Sequence, residues 1–229
     1  MAHPDISVRN AKELNFFNRW FIRHLNTHGC TQAELDSYHQ WFPRPAGKLT
    51  GEWTPHYVFQ YQVPPLMKLA APSAKMIVML RDPVERYRSD ISRHMNRQRH
   101  RMVQYRSITN GFYSSLLRPW EDLYPPSELL VLQFEACLRQ PEAMLKLTFE
   151  FLGLDGDFQP SALHTAVNKT RAKRDIDPGM RALLTQIYER EVASLVERHP
   201  SIDLRLWPNF AAMLDRPSPI VGGPPGPKP

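Results

Sequence analysis

The sequence predicts an α/β fold, a three-layer sandwich around a parallel sheet, on three observations. Two apolar runs of strand length, Met76 to Leu80 and the "ELLVLQF" run ending at Phe134, are separated by helical patterns, and parallel strands need such crossovers. Both runs are apolar almost throughout rather than alternating, as in strands covered on two faces. No repeat period or long polar spacer divides the 229 residues, so one core is expected.

In chain order, Ser7 to Leu25 mixes aromatic and basic residues, with a helix beginning after Phe17. Cys30 to Gly47 reads as helix and loop. In "KLTGEWTPHYVF" a short extended piece runs into a turn-rich junction at Gly51 and Pro55. A short helix around Pro65 to Ala70 feeds the first apolar strand. From Val84 a long helix carries Arg86, Arg88, Arg93, Arg97, Arg99 and Arg101. The next helix puts Tyr113, Leu116, Leu117, Trp120 and Leu123 on one stripe. Pro125-Pro126 turns the chain into the second strand. Pro141 suits the first turn of a helix with Leu145, Phe149 and Leu152 inside, and Gly153 suits its end. Pro178 opens the last long helix, with Met180, Leu183, Leu184, Ile187, Val192 and Leu195 at helical spacing. Residues 1–215 form the domain, and 216–229, "RPSPIVGGPPGPKP", read as a flexible tail because Pro and Gly build neither helix nor ladder.

The formal charge of +6 and pI near 9.4 favour anionic partners without choosing between nucleic acid, phosphate esters, sulfated sugars and acidic membranes. The Arg93 to Arg101 run lacks a recognition-helix motif and interleaved aromatics, which argues against nucleic acid; it is a landing site for an anionic acceptor or simply a charged face. Two cysteines are too few for a disulfide framework and fit a reducing compartment. The two cysteines stand 107 positions apart, so a zinc site and, with it, a metal are not expected. No run approaches the roughly 18 apolar residues of a membrane span, and the first ten residues carry no signal region. A soluble, cytoplasmic protein without an integral membrane segment is the expectation.

The junction "LRDPVERYRSDISRH" carries the most chemistry. Asp82 caps a helix, Pro83 fits its first turn, and Glu85 stands where a capping box wants it. The carboxyl end of a parallel strand opens onto the ligand crevice, so Arg81 projects toward it, and a guanidinium there suits a phosphate. Ser89, two turns on, offers a second hydrogen bond. The spacing leaves a plainer alternative open, in which Arg81 pairs with a carboxylate and Ser89 is a surface serine.

These residues resemble the 3'-phosphate segment of sulfotransferases that use 3'-phosphoadenylyl sulfate (PAPS), in particular their bacterial and heparan-sulfate-type branches. "HPDISVRNAKELNFF" is similar to that family's "HP…KE.HFF" segment and "GEWTPHY" to its "GEKTP.Y" turn. The run from "GFYSSLL" to "FEFLGL" resembles its downstream helix, strand and helix, and "NKTRAKR" its late basic loop. The likeness runs from His3 to about Trp207. It implies a P-loop-NTPase-like sulfotransferase fold, with PAPS as co-substrate, a hydroxyl acceptor and no metal. By resemblance Arg81 and Ser89 grip the ribose 3'-phosphate, Lys169, Thr170 and Arg171 close over the nucleotide, Tyr113 falls near the donor, and Glu13 is the base.

Glu13 beside Phe16 and Phe17 is expected to be partly desolvated, with its proton affinity raised; without the resemblance, a surface ion pair is the favoured reading. His56 and His94 are alternative bases by residue type alone, and Lys12 is a weaker candidate for orienting the donor. Two departures qualify the likeness. The family's first strand and its Lys-x-Gly-Thr-Thr-type phosphosulfate loop have no counterpart before His3, so an N-terminally incomplete domain with exposed strand edges, marginal stability and weak turnover is expected. "PAGKLTGEW" does not replace that loop, having too few glycines and no following helix. Trp53 stands where many heparan-type relatives carry lysine. The rival expectation is a catalytically inactive fragment that keeps partial nucleotide contacts or serves as an interaction module.

Overall fold

The computed structural model describes residues 3–8, 13–18, 30–42, 45–94, 100–161, 163 and 175–215. The first α-helix that it sets out in full is α1, Gln32–His39. It opens on a capping box, with the Thr31 N–H donating to Glu34 Oε2 at 2.7 Å and the Glu34 N–H to Thr31 Oγ1 at 3.4 Å. A 3₁₀ turn, Pro55–Phe59, and α2, Val63–Ala70, lead into β1, Met76–Leu80. Then come α3, Pro83–His94, α4, His100–Thr109, and α5, Tyr113–Glu121. The chain returns through β2, Leu129–Gln133, α6, Phe134–Arg139, α7, Pro141–Leu152, and α8, Pro178–Arg198. Both expected strands form and pair in parallel, in the register Met76↔Leu129 to Leu80↔Gln133. This confirms the α/β class.

Several local expectations need correction. Residues 16–18 are already helical, so that helix begins before the end of Phe17 rather than after it. The arginine-rich segment is divided into α3 and α4. These pack side by side: the Arg86 guanidinium donates to the Ser107 carbonyl and the Ser107 hydroxyl to Asp90, at 3.4 Å. Leu123 lies past the end of α5 and is 36% exposed, because the helix stops at Glu121. In α8 Leu183 faces water while Tyr188, absent from the expected stripe, is fully buried. Its ring lies where a Cβ on Gly111 would stand, 2.5 Å away, and its hydroxyl donates to the Ile108 carbonyl at 2.8 Å. Gly111 therefore admits the α8 ring at the start of α5.

Where the pattern is strong, sequence and packing agree. Tyr113, Leu116, Leu117 and Trp120 are buried on α5, which packs against the face of α8 carrying Leu184, Tyr188, Val192 and Leu195. Helix α7 ends on Gly153 at φ 79°, where the Leu154 N–H donates to the Phe149 carbonyl at 2.8 Å. The two strands differ in cover. In β2, Leu129, Val131 and Leu132 are buried, whereas in β1 Ile77 and Met79, on one face by the strand's period of two, are 40% and 53% exposed. The expectation of cover on both faces holds for β2 and fails for β1 among the described residues.

Candidate functional site

The parallel register sets the residues that follow the two strands side by side, and the site begins there. Asp82 is fully buried and caps α3: its Oδ1 accepts the Val84 and Glu85 N–H groups at 2.9 and 3.2 Å. Its Oδ2 accepts the backbone and side-chain N–H groups of Asn209, at 3.3 and 2.8 Å. Burial pushes the Asp82 carboxyl up, against the opposing pull of those hydrogen bonds. The expected capping box is only half made. The Asp82 N–H donates to Glu135 Oε1 at 3.1 Å, while Glu85 turns to Arg181 and Arg88, at 2.8 and 3.2 Å.

Arg81 lies over the Phe134 ring, 5.2 Å from its centroid, with Nε 3.8 Å from Glu135 Oε1. That is an ion-pair distance without a hydrogen bond. Glu135 spends its hydrogen bonds elsewhere, on the Asp82 N–H and on Trp207 Nε1 at 2.9 Å. Arg81 Nε is buried and has no hydrogen-bond partner among the described residues, and the same is true of Arg86 Nε and the Tyr113 hydroxyl. Tyr113 belongs to the α5 core stripe, 4% exposed, and its phenol lies near the Arg81 backbone and the Arg86 charge; burial raises its pKa. Ser89, one residue before the Asp90 carboxylate that binds Arg86 at 2.6 Å, is buried rather than on the surface. The junction thus has unsatisfied donors just past β1, on α3 and on α5. Unmet buried donors are costly, about 1–3 kcal/mol each, and an anion would meet them.

Glu13 is held differently. Its backbone N–H donates to the Trp53 carbonyl at 2.7 Å, and it takes a left-handed φ of 54°, followed by Asn15 at 50°. Left-handed backbone is uncommon outside glycine and strained for a glutamate, less so for an asparagine. The Asn15 side chain donates to the Glu13 carbonyl at 2.8 Å and its N–H reaches Thr54 Oγ1 at 3.5 Å. Phe17 turns fully into the core against Tyr38 and Tyr57, leaving the Glu13 residue exposed. The sheltering expected from Phe16 and Phe17 is therefore absent: the rings go to the core, and the carboxylate goes to water. The burial-perturbed carboxylate of this region is Glu52, pushed up by desolvation and opposed by hydrogen bonds from Thr54, Tyr38 and Tyr57.

Lys12, Lys169, Thr170 and Arg171 lie outside the described residues. Asp175, the next described residue after the basic stretch, pairs with Arg88 Nη2 at 2.7 Å. His3 is structural: it is buried against Phe149 and Phe158, and its Nδ1 accepts the Asp5 N–H at 3.1 Å. Among the described residues no three His, Cys, Asp or Glu side chains converge as metal ligands. The residues that sequence reasoning missed are Glu135, Asn209, Glu52 and Thr54. Glu135 had a signal, an acid directly after an apolar strand; the partnership of Asn209 with Asp82 spans 127 positions and had none.

The model of the Sulfotransferase family matches residues 2–160. Mouse heparan sulfate glucosamine 3-O-sulfotransferase 3B1 is 27% identical over 170 residues, covering 67% of this chain and 41% of that protein. Human bifunctional heparan sulfate N-deacetylase/N-sulfotransferase 3 is 24% identical over 186 residues, covering 67% of this chain and 20% of its own length. The chain thus spans well under half the length of these curated relatives. A crystal structure of a sulfotransferase from Alicyclobacillus acidocaldarius superposes with a TM-score of 0.70 at 25% identity, covering 90% of this chain and 89% of the other.

Proposed function

The chain belongs to the sulfotransferase family, and from that premise we propose that it moves a sulfuryl group from PAPS to a hydroxyl of a carbohydrate, glycolipid or small-molecule acceptor. The observation that carries the donor assignment is the set of unsatisfied donors at the junction, Arg81 Nε, Arg86 Nε and the Tyr113 hydroxyl. A ribose 3'-phosphate supplies the acceptor oxygens they lack. In this reading Arg81 and Ser89 hold that phosphate, Tyr113 backs it, Lys169 and Arg171 add charge over the nucleotide, and Thr170 adds a hydroxyl donor. The relatives that act on heparan sulfate, by their names, support a sugar hydroxyl as acceptor.

Glu13 takes the acceptor's proton as the acceptor oxygen forms its bond to sulfur. The bond from sulfur to the donor's phosphate oxygen breaks, and adenosine 3',5'-bisphosphate leaves with that electron pair. Positive charge around the nucleotide stabilises the leaving phosphate. The exposure of Glu13 suits a group that must meet an incoming acceptor. Thermal unfolding with adenosine 3',5'-bisphosphate tests the donor site: a ligand at about a hundredfold its Kd adds about 2.7 kcal/mol, seen as a higher Tm. That rise is expected in the parent and lost in Arg81→Ala. No rise in the parent at millimolar ligand overturns the assignment.

A further inference from the structure

We infer that Glu52 is the positioning residue for Glu13, acting through the hydroxyl of Thr54 on the left-handed segment that carries it. This deepens the sulfuryl-transfer reading and rests on it for the word catalytic, but the geometry stands alone. Tyr38 donates its hydroxyl to Glu52 Oε1 at 2.7 Å, and Thr54 donates its own to Oε2 at 2.7 Å. An ionised carboxylate only accepts. The Thr54 proton is thereby committed to Glu52, and the lone pairs of the same oxygen are left for the Asn15 N–H, 3.5 Å away. The Tyr57 hydroxyl, near the Glu52 charge, faces the Phe17 N–H at 3.5 Å.

One half-buried carboxylate therefore sets the direction of the Thr54 hydroxyl, and the Thr54 and Tyr57 hydroxyls accept from alternate amides of the 13–17 segment. The segment needs this support because its conformation is locally unfavourable, with φ of 54° at Glu13 and 50° at Asn15. Neighbouring elements add to it: the Glu13 N–H is bonded to Trp53, between Glu52 and Thr54, and the buried Phe17 ring packs on Tyr38. A glutamine at position 52 has the same shape but can donate to Thr54 Oγ1. That donation turns the hydroxyl proton away, toward the Asn15 N–H, and replaces an attraction with two opposed donors.

The test measures Glu52→Gln in the full chain by amide hydrogen exchange and by transfer from radiosulfate-labelled PAPS to a heparan-derived oligosaccharide and to p-nitrophenol. The expected result is exchange at residues 14–17 faster by about tenfold, with protection across Leu129–Gln133 unchanged. The kcat falls by about ten- to a hundredfold, with KM for donor and acceptor within about twofold. Thr54→Val reproduces both effects and Thr54→Ser, which keeps the hydroxyl, recovers most of the loss. Parental exchange at residues 14–17 in Glu52→Gln, or a rise in KM with kcat unchanged, overturns the inference. If Glu52→Gln also loses protection in β2, the contrast between Thr54→Val and Thr54→Ser decides, equal exchange in the two counting against it. Absence of transfer by the parent overturns the sulfuryl-transfer reading instead, and the exchange comparison still decides this one.

Discussion

Asp82 is fully buried and its two oxygens accept from four donors, whereas Glu13 is exposed and its segment is anchored by a 2.7 Å backbone bond and two contacts of 3.5 Å. The first lies where a strand passes into a helix, so regular backbone geometry orients Arg81 before any distant residue contributes. The second lies on irregular backbone that runs against local preference and depends on Glu52, Thr54 and Tyr57, about 40 positions away. A group that grips a large anionic donor can be built into a rigid junction. A group that must meet an acceptor is exposed, and its precision has to come from tertiary support.

Removing the carboxylate proposed as the base should break this comparison most sharply. Glu13→Gln is expected to lower kcat by about 10²- to 10⁴-fold, with the thermal response to adenosine 3',5'-bisphosphate intact; equal transfer rates would remove Glu13 from the role of base. Next in size, Asp82→Ala strips the α3 cap and leaves the Asn209 backbone and side-chain N–H groups without their acceptor, costing about 3 kcal/mol in urea unfolding. No comparable loss is expected from changes at Glu13. Indeed Glu13→Gly should raise stability by about 1 kcal/mol, because glycine adopts the left-handed backbone freely. Asn15→Gly should gain less, since asparagine already tolerates that region and its side chain bonds to the Glu13 carbonyl.

The smallest effect is in the pH dependence of stability, and its sign differs between the two sides. Burial pushes the Glu85 carboxyl up, but Arg181 and Arg88 outweigh it and hold the folded value below the ordinary carboxylate range. Its stabilising effect is complete above the unfolded pKa and is lost as pH falls through the lowered folded value. Glu52 is raised by burial, so its contribution is full below the unfolded pKa and is lost as pH rises through the folded value. Arg181→Ala should therefore weaken the acid-side loss, and Glu52→Gln should flatten the loss on the rising side. Urea unfolding from pH 3 to 8 separates the two, and identical profiles in both variants would contradict this division.

What the sequence settled by itself was whatever short-range physics controls. The α/β class followed from two apolar runs with helical spacing between them, and the α3 start from Asp82-Pro83. The α5 stripe from Tyr113 to Trp120 followed from its helical spacing, and the α7 end from Gly153. Each rests on residues within a turn or two of one another. It also supplied the candidates Arg81, Ser89 and Glu13, by pattern and likeness. Only the tertiary structure decided what surrounds them. Arg81 comes beside Phe134 and Glu135 because parallel pairing brings residues 80 and 133 into register. Phe17 enters the core while Glu13 faces water. Arg86 and Arg88 of α3 pair with Glu85, Asp90 and Asp175. Such partnerships depend on which chain segments meet in space, and no local preference encodes a contact between residues 40 or 127 positions apart.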